Sequence, residues 1–336
     1  MDLFGDPAVW LPFTFAALMG VSILVYVVLD GFDLGVGVVF PFATVEEKDM
    51  MVASIGPVWD ANETWLVLAI GLLLVAFPSA HGTILTALYL PVAIMLIGLI
   101  LRGVAFEFRV KAPTPHKATW NWLFFTGSLM TSLSQGFMLG KYVMVLESTT
   151  GTWIFAAITA VFLTVAYSFI GACWLILKTE FTLQSKAVDW AKGGIWGLIL
   201  GLGAVSLATP LVSPRIFDKW FSFPEVVLLA PLPILSALLV WLLWRSLQRL
   251  PNDTDRGART PFLYAIVLFV LAFGGLAYSF YPFVVPEKLT IYEAASAPES
   301  LFIILVGTVF VLPMIAGYTA LAYTVFKGKA VELRYD

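Results

Sequence analysis

Asp30-Gly31-Phe32-Asp33-Leu34-Gly35-Val36-Gly37 stands near the end of an apolar run that extends from 13 to 40. The run exceeds the roughly 20 residues that a helix needs to cross a bilayer, so two carboxyl groups lie inside a membrane span. A charged residue at a span centre costs about 2.5–3.5 kcal/mol even on the lenient insertion scale, and acids kept at that cost need a reason. Asp30 and Asp33 are one turn apart on one face, about 10–15 Å from the inner end of the helix. Gly31 and Gly35, four residues apart, let another helix approach closely. A phosphate-binding glycine loop is the wrong reading, because no strand precedes these glycines.

Eight further apolar runs follow, at 54–77, 83–108, 118–139, 153–177, 187–208, 224–246, 261–283 and 301–326. Pro41, Pro78, Pro113, Pro210, Pro251 and Pro286 punctuate the gaps, as residues that do not continue a helix. The chain is 60% hydrophobic and 12% charged, against about 25% charged in a soluble domain. These observations predict an all-α integral membrane protein of about nine transmembrane helices. Spans one and five run in the same direction, which allows two four-helix bundles plus one peripheral helix. The units are then 1–140, which carries the acids, 141–283, and 284–336 with a ninth helix and a cytoplasmic tail.

If the N-terminus is outside, fourteen of the 19 Lys and Arg residues fall in inner segments, Arg334 among them, four fall outside, and Arg102 lies within the third span. The positive-inside rule then gives N-out, C-in. Asp2 and Asp6 leave no basic region before the first run, so that run reads as a retained helix rather than a cleaved signal. The net charge of −3 belongs to loops and points to no nucleic-acid partner. Trp10, Trp120, Trp122, Trp153 and Trp220 fall near span ends, as an aromatic belt does.

Asp60 and Glu63 are again one turn apart, on the inner half of span two, and Arg102 and Glu107 lie toward the inner end of span three. The expectation is that all five acids and Arg102 converge on the cytoplasmic half. One arginine cannot neutralise five acids. The cluster then reads either as an ion-pair lock between three helices or as a proton route, and one arrangement can serve both. Gln135 and Lys141 read as a solvated helix end with a snorkelling lysine. His81, in an outer loop, and His116, in an inner loop, cannot together ligate one haem. Cys173 is a lone thiol in an apolar run and reads as a small hydrophobe. No metal site is read from the sequence.

Three ordered motifs carry a family resemblance. Asp30-Gly-Phe-Asp-Leu-Gly-Val-Gly37, Ile55-Gly-Pro-Val-Trp-Asp-Ala-Asn62 and Leu101-Arg-Gly-Val-Ala-Phe-Glu-Phe-Arg109 resemble the successive signatures of cytochrome bd oxidase subunit II. The nine-helix layout extends the resemblance over the chain, and the short loops look most like the cyanide-insensitive branch. The resemblance implies a haem-free subunit beside a haem-bearing subunit I with two b-type haems and one d-type haem. The complex would oxidise quinol, reduce dioxygen to water and generate a proton gradient from the bacterial cytoplasmic membrane. This subunit would stabilise subunit I and conduct protons. By the resemblance Asp60 faces subunit I, and Trp59 and Arg102 are its structural partners. Glu107, Asn121 and Glu63 stand where some relatives carry aspartate, an acid and glutamine. A structural quinone and a small single-helix accessory subunit accompany some members. The rival readings are a proton-coupled transporter and a purely structural membrane partner.

Overall fold

The computed structural model describes residues 6–113, 116–252 and 254–331, so Asp2 and Arg334 lie outside the described residues. Helix α1 (Pro7–Val39) begins where the Asp6 side chain accepts from the Ala8 amide and Pro7 takes the first position, where its missing N–H costs nothing. Pro41 then ends the helix in a single 3-10 turn, Phe40–Phe42. Thr44 and Glu47 form a reciprocal capping box that opens a short helix, α2 (Val45–Ile55). Gly56 and Pro57 break the chain, and α3 (Trp59–Ala76) follows. The second span therefore starts at Trp59 and not at 54. Residues 54 and 55 belong to α2, whose Met51, Val52 and Ile55 are buried against Phe40 and the end of α1.

Pro78 is a starter as well as a terminator, since it opens α4 (Pro78–Lys111) directly after α3. His81 consequently stands in the first turn of α4, and the predicted outer loop around it does not exist. Helices α5 (Lys117–Val143), α6 (Thr150–Lys178) and α7 (Phe181–Val212) come next. An amphipathic helix α8 (Pro214–Phe221), a short α9 (Glu225–Leu229), α10 (Pro231–Gln248) and α11 (Thr260–Phe280) follow. A hairpin of β1 (Phe283–Val285) and β2 (Leu289–Thr290), a turn of helix α12 (Ile291–Ala294) and α13 (Pro298–Val325) complete the described chain.

Among the described residues eight helices are long and apolar enough to cross a membrane, α9 and α10 counting as one. The protein is a multi-pass, all-α membrane protein. The remaining predicted span corresponds to α5, which at 27 residues is about 40 Å long but is interrupted by polar side chains. Its Ser128, Thr131, Ser132 and Ser134 are buried, because α5 is packed between α4 and α6. A Cβ added at Gly127 would lie 2.6 Å from the Arg102 amide nitrogen, and one at Gly136 would lie 2.6 Å from Ala160 Cα. Small residues thus bring the backbones together where apolar side chains would face lipid in an outer helix.

The Gly31 and Gly35 face is used in the same way. A Cβ at Gly35 would lie 1.7 Å from the Tyr167 carbonyl oxygen, and one at Gly171 would lie 2.6 Å from the Gly35 carbonyl carbon. The helix that approaches Asp30 and Asp33 is therefore α6, within this chain. The end of the bundle where α1 and α6 finish carries most of the lysines and arginines and is called the basic end. There Lys178 donates to the carbonyls of Phe326 and Gly328, and Lys329 donates to Thr179 and pairs with Asp255, which ties the end of α13 to α6.

Candidate functional site

The motifs on α1, α3 and α4 meet in the basic half of the bundle. Arg102, Asp30, Asp33 and Asn62 are all buried. Arg102 reaches across from α4 and directs one nitrogen, Nη2, at two acids, Asp30 Oδ1 at 2.6 Å and Glu63 Oε1 at 2.6 Å. This end-on arrangement differs from a bidentate pair, in which two nitrogens meet two oxygens. Its consequence is that Arg102 Nη1 and Asp30 Oδ2 are left buried without a protein partner, as is Asp33 Oδ1. Groups of this kind take their partners from ordered water in native folds.

Asp33 does not bond Arg102. Its Oδ2 accepts from Asn62 Nδ2 at 2.7 Å, and the same nitrogen reaches the Leu29 carbonyl at 3.3 Å. Asn62 Oδ1 in turn accepts from the Tyr323 hydroxyl of α13 at 3.0 Å. On the other side of Asp30, Gln135 of α5 donates to the Tyr26 hydroxyl at 2.7 Å and accepts from the Tyr167 hydroxyl at 2.7 Å. Gln135 is thus bonded at both ends of its amide inside the bundle, contrary to its reading as a solvated residue.

The structure gathers Asp30, Asp33, Glu63 and Arg102, and it does not gather the whole predicted set. Asp60 is exposed on α3, one turn before Glu63, whose side chain is 29% exposed. Together they lead from the surface of α3 to the buried arginine. Trp59 lies against Phe106, ring centroids 5.2 Å apart, and over Gly103. Glu107 is exposed and stands 4.0 Å from Lys111 on its own helix. Five residues separate it from Arg102, a rotation of about 140° at 3.6 residues per turn, so it faces away from the cluster.

A second ionic group, missed in the sequence, lies at the basic end. Arg109 is buried, pairs with Asp49 of α2 at 2.8 Å and donates through Nε to Asn121 at 2.6 Å. Lys186 of α7 pairs with Glu47 at 2.7 Å. Burial alone would raise the Glu47 carboxyl, but the hydrogen bonds from Lys186 and Thr44 outweigh it and hold Glu47 below its ordinary value. These pairs pin α2 across the ends of α4, α5 and α7. Their signal was the spacing of acids on an amphipathic helix, hidden inside a predicted loop.

Lys141 is likewise not a snorkelling residue. It is buried, donates to the Glu147 carbonyl and stands 5.1 Å from the Trp153 ring centre, because the chain after α5 turns back over it. Cys173 is free and buried in the core. His81 stands in the first turn of α4 and His116 just beyond its other end, at the start of α5, with about 45 Å of helix between His81 and Lys111, so they do not fit the two axial positions of one haem. Of two surface grooves, one of about 400 Å³ lined by Ala157, Ile158, Val161 and Phe162 has no polar side chain, whereas one of about 580 Å³ is lined by Ser79, Thr83, Thr86 and Lys288 among others.

A family model described as cytochrome bd terminal oxidase subunit II matches residues 11–326. Cytochrome bd ubiquinol oxidase subunit 2 of Bacillus subtilis (strain 168) is 28% identical, over 92% of this chain and 94% of that protein. Cytochrome bd-I ubiquinol oxidase subunit 2 of Escherichia coli (strain K12) is 26% identical, over 96% of each. A chain of the bd oxidase structure from Geobacillus thermodenitrificans shares the fold, with a TM-score of 0.70 at 16% identity, over 95% of this chain and 99% of that one.

Proposed function

We propose, because this chain belongs to the cytochrome bd terminal oxidase subunit II family, that it is the haem-free subunit that stabilises subunit I and passes protons to it from the cytoplasm. Membership makes it a subunit of an oxidoreductase complex that uses haems and includes a subunit I. The finer reading places two b-type haems and one d-type haem on that partner, with quinol as the reductant and dioxygen reduced to water. The separation of His81 and His116 supports only the part of this reading that puts the haems on the partner. The complex is assigned to the bacterial cytoplasmic membrane, N-out and C-in, with α5 as the ninth span and units 1–140, 141–283 and 284–336.

The observation that carries the proton route is the line Asp60, Glu63, Arg102, Asp30, which runs from an exposed carboxyl on α3 to a buried one on α1 through an arginine bonded to both Glu63 and Asp30 at 2.6 Å. An exposed aspartate on a spanning helix is costly against lipid. The open face of α3 is therefore assigned to subunit I. Protons from the cytoplasmic side would reach the unpaired oxygens of Asp30 and Asp33 by way of water and pass by Glu63 to Asp60 on that face. The route uses carboxyl groups of this chain only and delivers protons at the subunit boundary.

The helix-lock reading rests on a different property of the same residues. Arg102 joins α1, α3 and α4 at once, and a buried pair broken by loss of one partner costs about 3–5 kcal/mol. Asp60→Asn separates the two roles, since it touches no buried partner. The proton route predicts normal assembly with haem and at least tenfold slower oxygen uptake per haem with a reduced quinol. Turnover near wild type across pH 6 to 8 would leave only the lock.

A further inference from the structure

Two hydrogen bonds stitch α13 to α3. Trp65 Nε1 donates to Thr319 Oγ1 at 3.2 Å, and one turn along both helices the Tyr323 hydroxyl donates to Asn62 Oδ1 at 3.0 Å. The first bond is a helix-to-helix contact that leads no further. The second ends on a side chain that touches an acid of the cluster, because Asn62 Nδ2 donates to Asp33 Oδ2 at 2.7 Å.

An asparagine amide has one end that only accepts and one that only donates. Here the Leu29 carbonyl, which can only accept, stands 3.3 Å from Nδ2, while the Tyr323 hydroxyl occupies the oxygen. The Leu29 carbonyl decides which end of the amide is Nδ2, and the Tyr323 hydroxyl, which can donate or accept, holds the oxygen end in place. We propose that Tyr323 is a positioning residue, which latches the Asn62 amide so that its NH2 group, and not its oxygen, faces Asp33. An NH2 group is a better partner for an ionised carboxylate, whose oxygens only accept, than for a protonated carboxyl, whose O–H would need an acceptor such as the amide oxygen. The latch thus tilts Asp33 toward its ionised form without excluding the protonated one. It deepens the proton-route reading by giving α13 a part in it.

Asp33 has no competing hydrogen bond from a cation. The charged and titratable groups around it are Asp30 on its own helix, Glu63 on α3, Arg102 on α4 and Tyr323 on α13. Arg102 is committed to Asp30 and Glu63, and α6 presents the Trp174 ring, stacked on Phe32 with centroids 4.2 Å apart, while Tyr167 faces Asp30. α11 adds the ring of Phe262. Asn62 is the one direct donor to Asp33 among the described residues.

The test is Tyr323→Phe in the purified two-subunit complex, read by infrared titration of protonated carboxyl groups. Asp33→Glu, which keeps the charge, identifies the Asp33 band by moving it. Thr319→Val is the control, since it cuts the other stitch and leaves Asn62 untouched. The expected result is that in Tyr323→Phe the Asp33 band persists to higher pH by roughly half a unit or more, the size of one lost hydrogen bond, or changes frequency, while Thr319→Val matches wild type. An unchanged carboxyl region in Tyr323→Phe overturns the latch, as does the same change in Thr319→Val. Because the readout is spectroscopic, it stands or falls independently of the turnover of Asp60→Asn, which judges the proton route.

Discussion

Arg102 Nη2 lies 2.6 Å from Asp30 Oδ1, and neither residue exposes more than 3% of its side chain. Since a single nitrogen serves Asp30 and also Glu63, the site uses the arginine as a point charge more than as a planar donor pair. Arg102→Leu is expected to lower the yield of haem-containing complex sharply, by the roughly 3–5 kcal/mol of a broken buried pair. Arg102→Lys keeps a point charge within reach of the same oxygens and should recover a measurable part of that yield. Haem recovered per tagged subunit after mild detergent extraction measures both. Equal yields for the leucine and lysine variants would show that charge is not what the position supplies.

Gly35 and Gly171 make the opposite kind of contact, backbone on backbone. A Cβ at Gly35 meets the Tyr167 carbonyl oxygen at 1.7 Å, whereas one at Gly20, on the same helix, meets only the Phe273 ring at 3.8 Å. No rotamer change relieves a clash with backbone, so Gly35→Ala must push α1 from α6, and overpacking of this kind costs about 1–3 kcal/mol or more. Gly20→Ala should be near neutral. The midpoint of thermal unfolding of the purified complex is the measurement, with a drop expected only for Gly35→Ala.

Much of the cluster was legible in the sequence for one physical reason, that an ionisable side chain in an apolar run must have a partner. Asp30, Asp33, Glu63 and Arg102 could be placed at one depth by counting turns. Depth says nothing of azimuth, which is why Glu107 was grouped with residues it faces away from. Partners drawn from another helix were also out of reach. The bond from Asn62 to Asp33 was out of reach because asparagine and tyrosine carry no charge to draw attention to Asn62 and Tyr323. Lys141 was misread because its carbonyl partner, at Glu147, is created by the fold of the turn. Pro78 was read as a stop, although a proline at the first position of a helix is equally a start.

The docking of α2 should depend on pH through Glu47. Its carboxyl lies below its ordinary value despite burial, because Lys186 and Thr44 donate to it. A depressed folded value means that the ionised carboxylate is the form the fold prefers. Its contribution is present above the unfolded value and is lost as pH falls through the folded one. Hydrogen exchange of the α2 amides, Val45–Ile55, should therefore be slow at pH 7 and become faster as the pH falls below the ordinary glutamate range. Glu47→Gln should exchange faster than wild type at pH 7, with the difference closing at acid pH. A difference that is constant across the range would assign the docking to Asp49 and Arg109 alone.

The orientation can be tested where the structure makes the charge argument least obvious. At the basic end several cations are already paired with acids, Arg109 and Lys117 sharing Asp49, Lys186 with Glu47 and Lys329 with Asp255. If net charge set topology, these pairs would weaken the bias toward that end. Lysines and arginines are what count during insertion, however, and acidic residues contribute little. The ion pairs also form only when α2, α4, α5 and α7 have come together, after each span has taken its direction. The opposite end has few cations, and two of them are held in the fold, Arg215 by Glu287 and Lys219 by the carbonyls of Tyr278 and Tyr281. The basic end should therefore be cytoplasmic. A reporter active only in the periplasm should work when fused after Ser148, between α5 and α6, and stay silent after Arg256, between α10 and α11. The reverse pattern would place Asp60 and Glu63 on the outer side and remove the cytoplasmic source of protons from the proposed route.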